Sequence, residues 1–529
     1  MKHAVPITKT HYVEAGFTLP AVLSFILVMG VIATTLMTVV MGNLLSSGAI
    51  IERRQALHIA EAGVNYYLWH MAHNPTDYKD GNTAPATPDP QLGYGPYVHD
   101  YVDANARKEG TYTLWVQPQS NGSTVATVRS KGTTNGGVSR TVEARIGASS
   151  FASYGLLADV EFWFGSSEAA NGPVFSNQGV HMDGPNSDTV GSANASYVPT
   201  YSYGGDGTVK DGVWCSPSVT DPDCSTRDKS NWLYPQPSID FNQVTSALCK
   251  MKKVAFADDA ATAAYAMNTD ACSLTPATRS DAYIPRYSSS FSSRRGYYIQ
   301  LNPDSTYDLY RVSNENDRQT DYTTALTRSV VQVGVPLPPS GVIFVEDNVW
   351  VRTSASFPGR VSIASGRLGN NAHSTDINIV GEILYSTKNG QDAIGLVSEG
   401  DIFIAPYAIP QTGAFTFEID AATLAQSGSV RYPSTYKVNS WRCTPGWTAP
   451  NQEFLYYGSV ATRQYWTWNY RRGGYCADSA YDPATGYYIS GVKQTTTEYD
   501  YHLYYAPPPS YPVTGGYEIL NWREVVTTP

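Results

Sequence analysis

The 529 residues carry 36 Lys and Arg against 46 Asp and Glu, a formal net charge of −10, so the whole molecule offers no long-range attraction to phosphate backbones or anionic lipid. A nucleic-acid partner is therefore not expected outside a local basic patch, for which Arg294-Arg295 and Arg471-Arg472 are the candidates. The length calls for two or three domains, and a charged fraction of 16% with 39 Tyr and 44 Gly favours β-rich architecture with tight turns.

Residues 1–16 are polar, with Lys2 and Lys9, and residues 17–51 contain no charge. A helix over that stretch runs about 50 Å and exceeds the ~30 Å hydrocarbon core of a bilayer, so it can span and still protrude. A cleaved secretory signal has a much shorter apolar region, so the expectation is an anchor that stays in the protein. Pro20 sits in the first turn, where its missing N–H breaks no internal bond. Lys2 and Lys9 before the span face Arg53 and Arg54 after it, and charge alone does not set the orientation.

The junction Glu14-Ala15-Gly16-Phe17-Thr18-Leu19 resembles the processing site of type IV prepilins, a short leader ending in Gly before an aromatic residue. The resemblance implies cleavage after Gly16 by a prepilin peptidase, N-methylation of Phe17, residence in the cytoplasmic membrane, and packing against other pilin subunits through the N-terminal helix. The fifth mature residue departs from the family: pilins carry Glu there, thought to neutralise a neighbour's terminal amine, and this chain has Ala21. The tip pseudopilin of type II secretion systems also lacks that Glu. Because a buried unpaired charge is costly, Ala21 implies a minor, tip-located subunit in place of the repeating one.

The apolar segment continues into an amphipathic half in which Leu57, Ala60, Val64 and Leu68 recur at helical spacing, closed by Pro75. Its Ala60-Glu61-Ala62-Gly63 run also resembles PilX-type minor pilins. His70 and His73 lie one turn apart without a third ligand nearby, which reads as a solvated helix end and not as a metal site.

Residues 76–110 read as a loop, followed by strands at 112–116, 124–130 and 140–146. With the helix over 17–75 they match, by family analogy, the pilin arrangement of a long helix on a small antiparallel sheet within 76–147. A second, β-rich body over 151–440 shows short apolar runs at 161–164, 173–176, 342–345, 348–351, 360–364, 377–385, 395–398, 401–404 and 415–419. These suit a solenoid or a sandwich; 421–426 (AATLAQ) reads as a short helix. The irregular insertion at 184–340 is where a binding surface is expected. The part at 441–529 is dense in Tyr and Trp, which suit both a β core and an anchor for sugars or protein partners. The fold class is thus α+β: a pilin-like transmembrane helix with a small antiparallel sheet, then a large solenoid- or sandwich-like domain.

Six cysteines, Cys215, Cys224, Cys249, Cys272, Cys443 and Cys476, all lie beyond the apolar segment, and their even number favours disulfides in an exported body. Fifteen connectivities are open, and proximity favours nearest neighbours. No GxSxG, HExxH, P-loop or zinc spacing occurs, so no cofactor, metal or catalytic residue is assigned. Asp304/Asp308 and Asn314/Asn316/Asp317 lack calcium-loop spacing and read as solvated turns. The function expected is structural and adhesive, a minor pilus subunit with a surface ligand. The alternative is a membrane-tethered solenoid hydrolase of polysaccharide, which needs paired carboxylates on one groove wall.

Overall fold

The computed structural model describes residues 18–525 apart from 75–76, 86, 119–124, 166–167, 217–223, 225–227, 318, 320, 370–372, 410–415, 433–452, 473–480, 483–486 and 492–493. Gly16 and Phe17 lie outside the described residues, as do Cys443 and Cys476.

A single helix, α1 (Thr18–His73), runs for 56 residues, roughly 80 Å. Its first part projects from the rest of the protein, with Leu19, Phe25, Leu36 and Leu45 all at least 65% exposed. One window of it reaches a mean hydropathy of 2.3, and the helix is long and apolar enough to cross a membrane. The hydroxyls of Thr34, Thr35 and Thr38 donate back to carbonyls three or four residues earlier, at 2.7–3.0 Å, and so need no water in an apolar surrounding. Beyond Glu52 the helix acquires a buried face of Ala56, Ile59, Ala60, Val64, Tyr67 and Met71.

That face lies on an antiparallel meander of β1 (Tyr94–Val102), β2 (Lys108–Gln117), β3 (Val125–Thr134) and β4 (Ser139–Ser150). The burial of β2 and β3 alternates along the strand, with Leu114, Val116, Ala126 and Val128 turned to the helix-side core. Contact is backbone to backbone at Gly132, where an added Cβ would stand 2.2 Å from the Ala56 carbonyl oxygen and 2.4 Å from the Ala60 nitrogen. β1 corrects the reading of 76–110 as loop: its apolar residues are interleaved with His99, Asp100 and Pro96, and strand pairing with β2 overrides that composition. The fifth strand comes from the far end of the chain, Val513–Val525, antiparallel to β4.

The body is a parallel β-solenoid, not a sandwich. Val342–Val345, Arg360–Ser365, Ala393–Ser398, Thr416–Ala425 and Glu453–Thr462 stack as successive parallel neighbours in one wall. Asn348–Thr353, Ile377–Gly381, Ile402–Ile409, Val430–Arg431 and Trp466–Thr467 stack between them in a second. An earlier run of rungs, Leu156–Ala158, Val174–Ser176 and Val190–Ser192, continues the first wall from its other side, because Leu156–Ala158 pairs with Val460, Ala461 and Thr462. The chain thus enters the solenoid at mid-length, builds outward to one end, crosses to the other, and builds back to where it began. Both the entry after β4 and the exit before Val513–Val525 adjoin the helix-bearing sheet.

The first wall is buried on both faces. Ile343, Val345, Ile394, Leu396, Phe417 and Ile419 face the solenoid interior, while Val342, Phe344, Val397 and Leu424 pack outward beneath α2 (Gln243–Ala257). This two-sided burial explains why the strands read as continuous apolar runs. It also corrects the short helix read at 421–426: those residues belong to the strand Thr416–Ala425, where Ala and Leu fill both cores and parallel pairing outweighs helix propensity. Within 184–340 the chain supplies α2 as a cover for that wall and a hairpin, Thr306–Glu315 with Leu326–Pro336, that extends the second. The stretch 441–529 is shared between structures, contributing Glu453–Thr462 to the solenoid and Val513–Val525 to the helix-bearing sheet.

Candidate functional site

Residue for residue, the strongest candidate for function is α1 itself together with the clamp that holds it. Ala21 is exposed in its first helical turns, and no other described part of the chain packs on the Leu19–Ile51 surface, where the large side chains are 48–75% exposed. Gly30, Gly42 and Gly48 have nothing within 4 Å of a built Cβ. These three glycines leave shallow notches on the helix in which a second helix can approach closely.

The other end of α1 is fixed by a turn that sequence reading missed. Asp77 accepts the N–H groups of Lys79 at 2.9 Å and Gly81 at 2.7 Å and meets His70 Nε2 at 3.1 Å. Burial opposes its charge, but these donors outweigh it and hold the Asp77 carboxyl below the usual range. Asp80, at φ 54°, accepts the Tyr66 hydroxyl at 2.9 Å and meets His99 Nε2 at 2.6 Å, which joins α1, the turn and β1. His70 is therefore not a solvated helix end: it is 8% exposed, while His73 Nδ1 bonds the Trp69 carbonyl at 2.8 Å. The signal for this clamp was the Asp77-Tyr78-Lys79-Asp80-Gly81 turn chemistry directly after the helix.

A second fastening closes the sheet. Glu143 on β4 lies between Arg129 of β3, Nε at 2.6 Å, and Arg523 of the returning strand, Nε at 2.9 Å. Burial raises its pKa, yet the two guanidinium groups prevail and hold the carboxyl below its ordinary value. Arg140 and Glu524 form a further pair across the same two strands.

Among the cysteines, Cys215 is joined to Cys224 and Cys249 to Cys272, with Cα separations of 5.9 and 5.1 Å. Asp304 caps its own turn, accepting from Thr306 at both N–H and hydroxyl, and Asp308 accepts the Gly334 N–H at 2.8 Å. Among the described residues no group of three or more His, Cys, Asp or Glu is placed to hold a metal ion.

Carboxylates do gather on the solenoid, at Glu418 and Asp420 on one face of Thr416–Ala425. Lys388 spans both, forming an ion pair with Glu418 and lying 3.1 Å from Asp420, which is 1% exposed. Glycosidic cleavage needs one acid and one base open to the substrate. One carboxyl here is closed to solvent and both are held by an ammonium, so the group fastens a rung. His181 also sits beside a hydroxyl and a carboxylate, Ser216 Oγ at 2.8 Å and Asp183 at 3.0 Å, but both meet the same nitrogen, Nε2, while Nδ1 bonds the Tyr203 carbonyl. A relay needs the acid and the nucleophile on opposite nitrogens. Stacked between Trp163 and Trp214 at 5.0 and 3.7 Å, His181 is a packing residue whose pKa burial lowers.

No protein-family model matches the chain, and no curated protein matches it. Among solved structures it is similar to the competence-associated pilin ComZ from Thermus thermophilus, at 15% identity over 90% of this chain and 98% of that one, with a TM-score of 0.23. A TM-score of that size establishes no shared arrangement, and the architecture described above rests on this chain's own helix and sheets.

Proposed function

We propose that the chain is a minor subunit of a type IV pilus or related filament, with a structural and adhesive role. It is cleaved after Gly16 by a prepilin peptidase, held in the cytoplasmic membrane by α1, and then packed through that helix against other pilin subunits. The solenoid is displayed at the cell surface toward a ligand there. The observation that carries this reading is the division of one unbroken helix into an uncovered apolar part and a part fastened to a sheet. A plain membrane anchor needs no rigid continuation into the folded body, whereas a subunit that transmits filament packing to its displayed domain does. Ala21, in place of the family's Glu, supports a position at the tip, where no repeating partner has to be neutralised.

Intact-mass and N-terminal analysis of the protein from its native host, with and without prepilin peptidase, tests this. The expected result is a methylated Phe17 terminus that disappears without the peptidase. A chain that retains Met1 in both strains overturns the reading and leaves a signal-anchored surface protein.

A further inference from the structure

Between the strands Tyr283–Ile284 and Gly296–Leu301 the chain reads Arg286-Tyr287-Ser288-Ser289-Ser290-Phe291-Ser292-Ser293-Arg294-Arg295, a serine-rich loop ending in two cations. Three buried residues of the solenoid, Asp347, Asn348 and Arg367, hold it. The Asp347 carboxylate accepts the Tyr287 N–H at 2.9 Å, and Arg367 donates to the Ser288 carbonyl at 3.0 Å. The Asn348 amide donates to the carbonyls of Ser292 and Arg295, both at 3.0 Å. A surface segment tied along its backbone in this way has little conformational entropy left to lose on binding.

What the loop presents is positive charge. Arg311, opposite Tyr297 on the neighbouring strand Thr306–Glu315, folds back over it: the guanidinium carbon lies 4.1 Å from the centre of the Tyr287 ring, and one nitrogen donates to the Tyr287 carbonyl at 2.8 Å. The Arg295 guanidinium lies 5.5 Å from the same ring, and its contact with the Ser290 hydroxyl is long, at 3.4 Å. Arg294 and Arg311 are exposed, and Arg295 is half-buried. The inner arginine of the loop is treated differently, for Arg286 Nε lies 3.2 Å from the Glu346 carboxylate. Among the described residues Arg294, Arg295 and Arg311 form no ion pair, although the chain as a whole carries a net charge of −10. Glu315, at the end of the same strand as Arg311, is turned inward and accepts from Trp350 and Tyr407. Three cations kept together without a counter-charge repel one another, and an anion from outside relieves that repulsion.

We propose that this patch binds the anionic groups of an acidic polysaccharide. A guanidinium takes the oxygens of a carboxylate or a sulfate ester in pairs, and the exposed Ser289, Ser290 and Ser293 set hydroxyls beside the cations, where sugar hydroxyls can exchange hydrogen bonds with them. The rings of the patch are already occupied. Tyr287 carries two guanidinium groups, and Phe291 is stacked on His373 at 4.7 Å with Arg367 at 5.4 Å. Neither ring is left as a platform for a nucleic-acid base or as the apolar anchor of an acidic protein partner. The inference names the ligand of the adhesive reading and rests on that reading only for its biological use. Binding by the purified chain is read without processing or filament assembly, so either can fail alone.

The test titrates the full chain, in uncharged detergent micelles at low salt, with polygalacturonate, dextran sulfate, neutral dextran, polyglutamate and duplex DNA, the charged probes at equal charge concentration. At least one of the two acidic glycans is expected to bind saturably and more tightly than the other three probes, and which of them does so tells carboxylate from sulfate. Arg294→Gln with Arg295→Gln should weaken that glycan about tenfold, as the loss of two exposed charge contacts does, and should make the remaining binding less sensitive to salt. Arg107→Gln, an exposed arginine beside β2 on the helix-bearing sheet, should leave binding unchanged. The unfolding midpoint of each variant verifies that it is folded. No saturation by either acidic glycan, equal or tighter binding of DNA, polyglutamate or neutral dextran, or a loss that follows Arg471→Gln with Arg472→Gln and not the loop variant would each overturn the proposal.

Discussion

Val460 and Leu156 are parallel neighbours in one sheet although one belongs to the last long rung of the solenoid and the other to the first. Their pairing joins two runs that are otherwise built from opposite ends, and both side chains lie in the interior core. The body therefore has no free internal edge in its first wall, and its two halves should behave as one cooperative unit.

Val460→Ala tests that unit. The side chain is 1% exposed, so the substitution should cost about 1–2 kcal/mol in denaturant unfolding. Hydrogen exchange should quicken in Leu156–Ala158 and Val174–Ser176 as well as in Glu453–Thr462. Faster exchange confined to the mutated strand would mean that the seam carries no coupling.

Gly132 and Gly42 separate the folding role of α1 from its assembly role. Gly132→Ala places a Cβ against helix backbone that cannot yield, so α1 must lift from β3, and the helix-bearing sheet should lose about 3 kcal/mol or more. Gly42→Leu meets nothing in the single chain and should leave its unfolding unchanged. If the same substitution lowers incorporation into filaments, the contact it breaks lies between subunits. Normal incorporation of Gly42→Leu would show that this notch is not used.

Much of this was legible in sequence because local patterns carried it. The uncharged stretch 17–51 and the periodic Ala60 and Val64 marked α1, and Ala56, Ile59 and Tyr67 prove to be buried as deeply as these, with Leu57 and Leu68 at the margin. The short runs around Ile343 and Leu396 marked rungs, since burial on both faces of the first wall leaves them almost entirely apolar. What sequence did not carry was order in space. Nothing in Val513–Val525 names β4 as its partner, and nothing in Leu156 names Val460, because pairing across such separations depends on the whole path of the chain. α2 was a different failure: Val244, Leu248, Met251 and Ala255 stand at helical spacing but lie within a Ser- and Asp-rich stretch that read as irregular.

Asp420 makes the body sensitive to pH in a defined direction. Burial, reinforced by Glu418, raises its carboxyl from 3.8 to about 7, against the opposing pull of the Tyr385 N–H and Lys388. Between those values the folded protein holds a proton that the unfolded chain has released, so this group's contribution to stability falls as pH rises from about 4 to about 7 and is constant above. Asp420→Asn, which mimics the protonated form, should match the parent near pH 4 and exceed its unfolding midpoint near pH 8. A variant less stable than the parent at the higher pH would show that the ionised Asp420–Lys388 pair is the favoured native form.

Lys252 and Glu346 give the sharpest test of how α2 is held on the solenoid. Both side chains are fully buried and form an ion pair, with Arg286 Nε 3.2 Å from the second carboxylate oxygen. Lys252 Nζ also donates to the carbonyls of Cys272 at 3.0 Å and Leu274 at 2.6 Å, so one ammonium ties α2 to the disulfide-bearing loop after it. Burial pushes the lysine down and the glutamate up, which sets the desolvation cost of each charge against the attraction of the pair. Lys252→Met leaves Glu346 without its ammonium and should cost about 3–5 kcal/mol in urea unfolding. Adding Glu346→Gln removes the buried carboxylate, then left with Arg286 alone, and should recover part of that loss. If the double variant is no more stable than Lys252→Met alone, the cost comes from the lost carbonyl contacts of Cys272 and Leu274, and the pair itself contributes little.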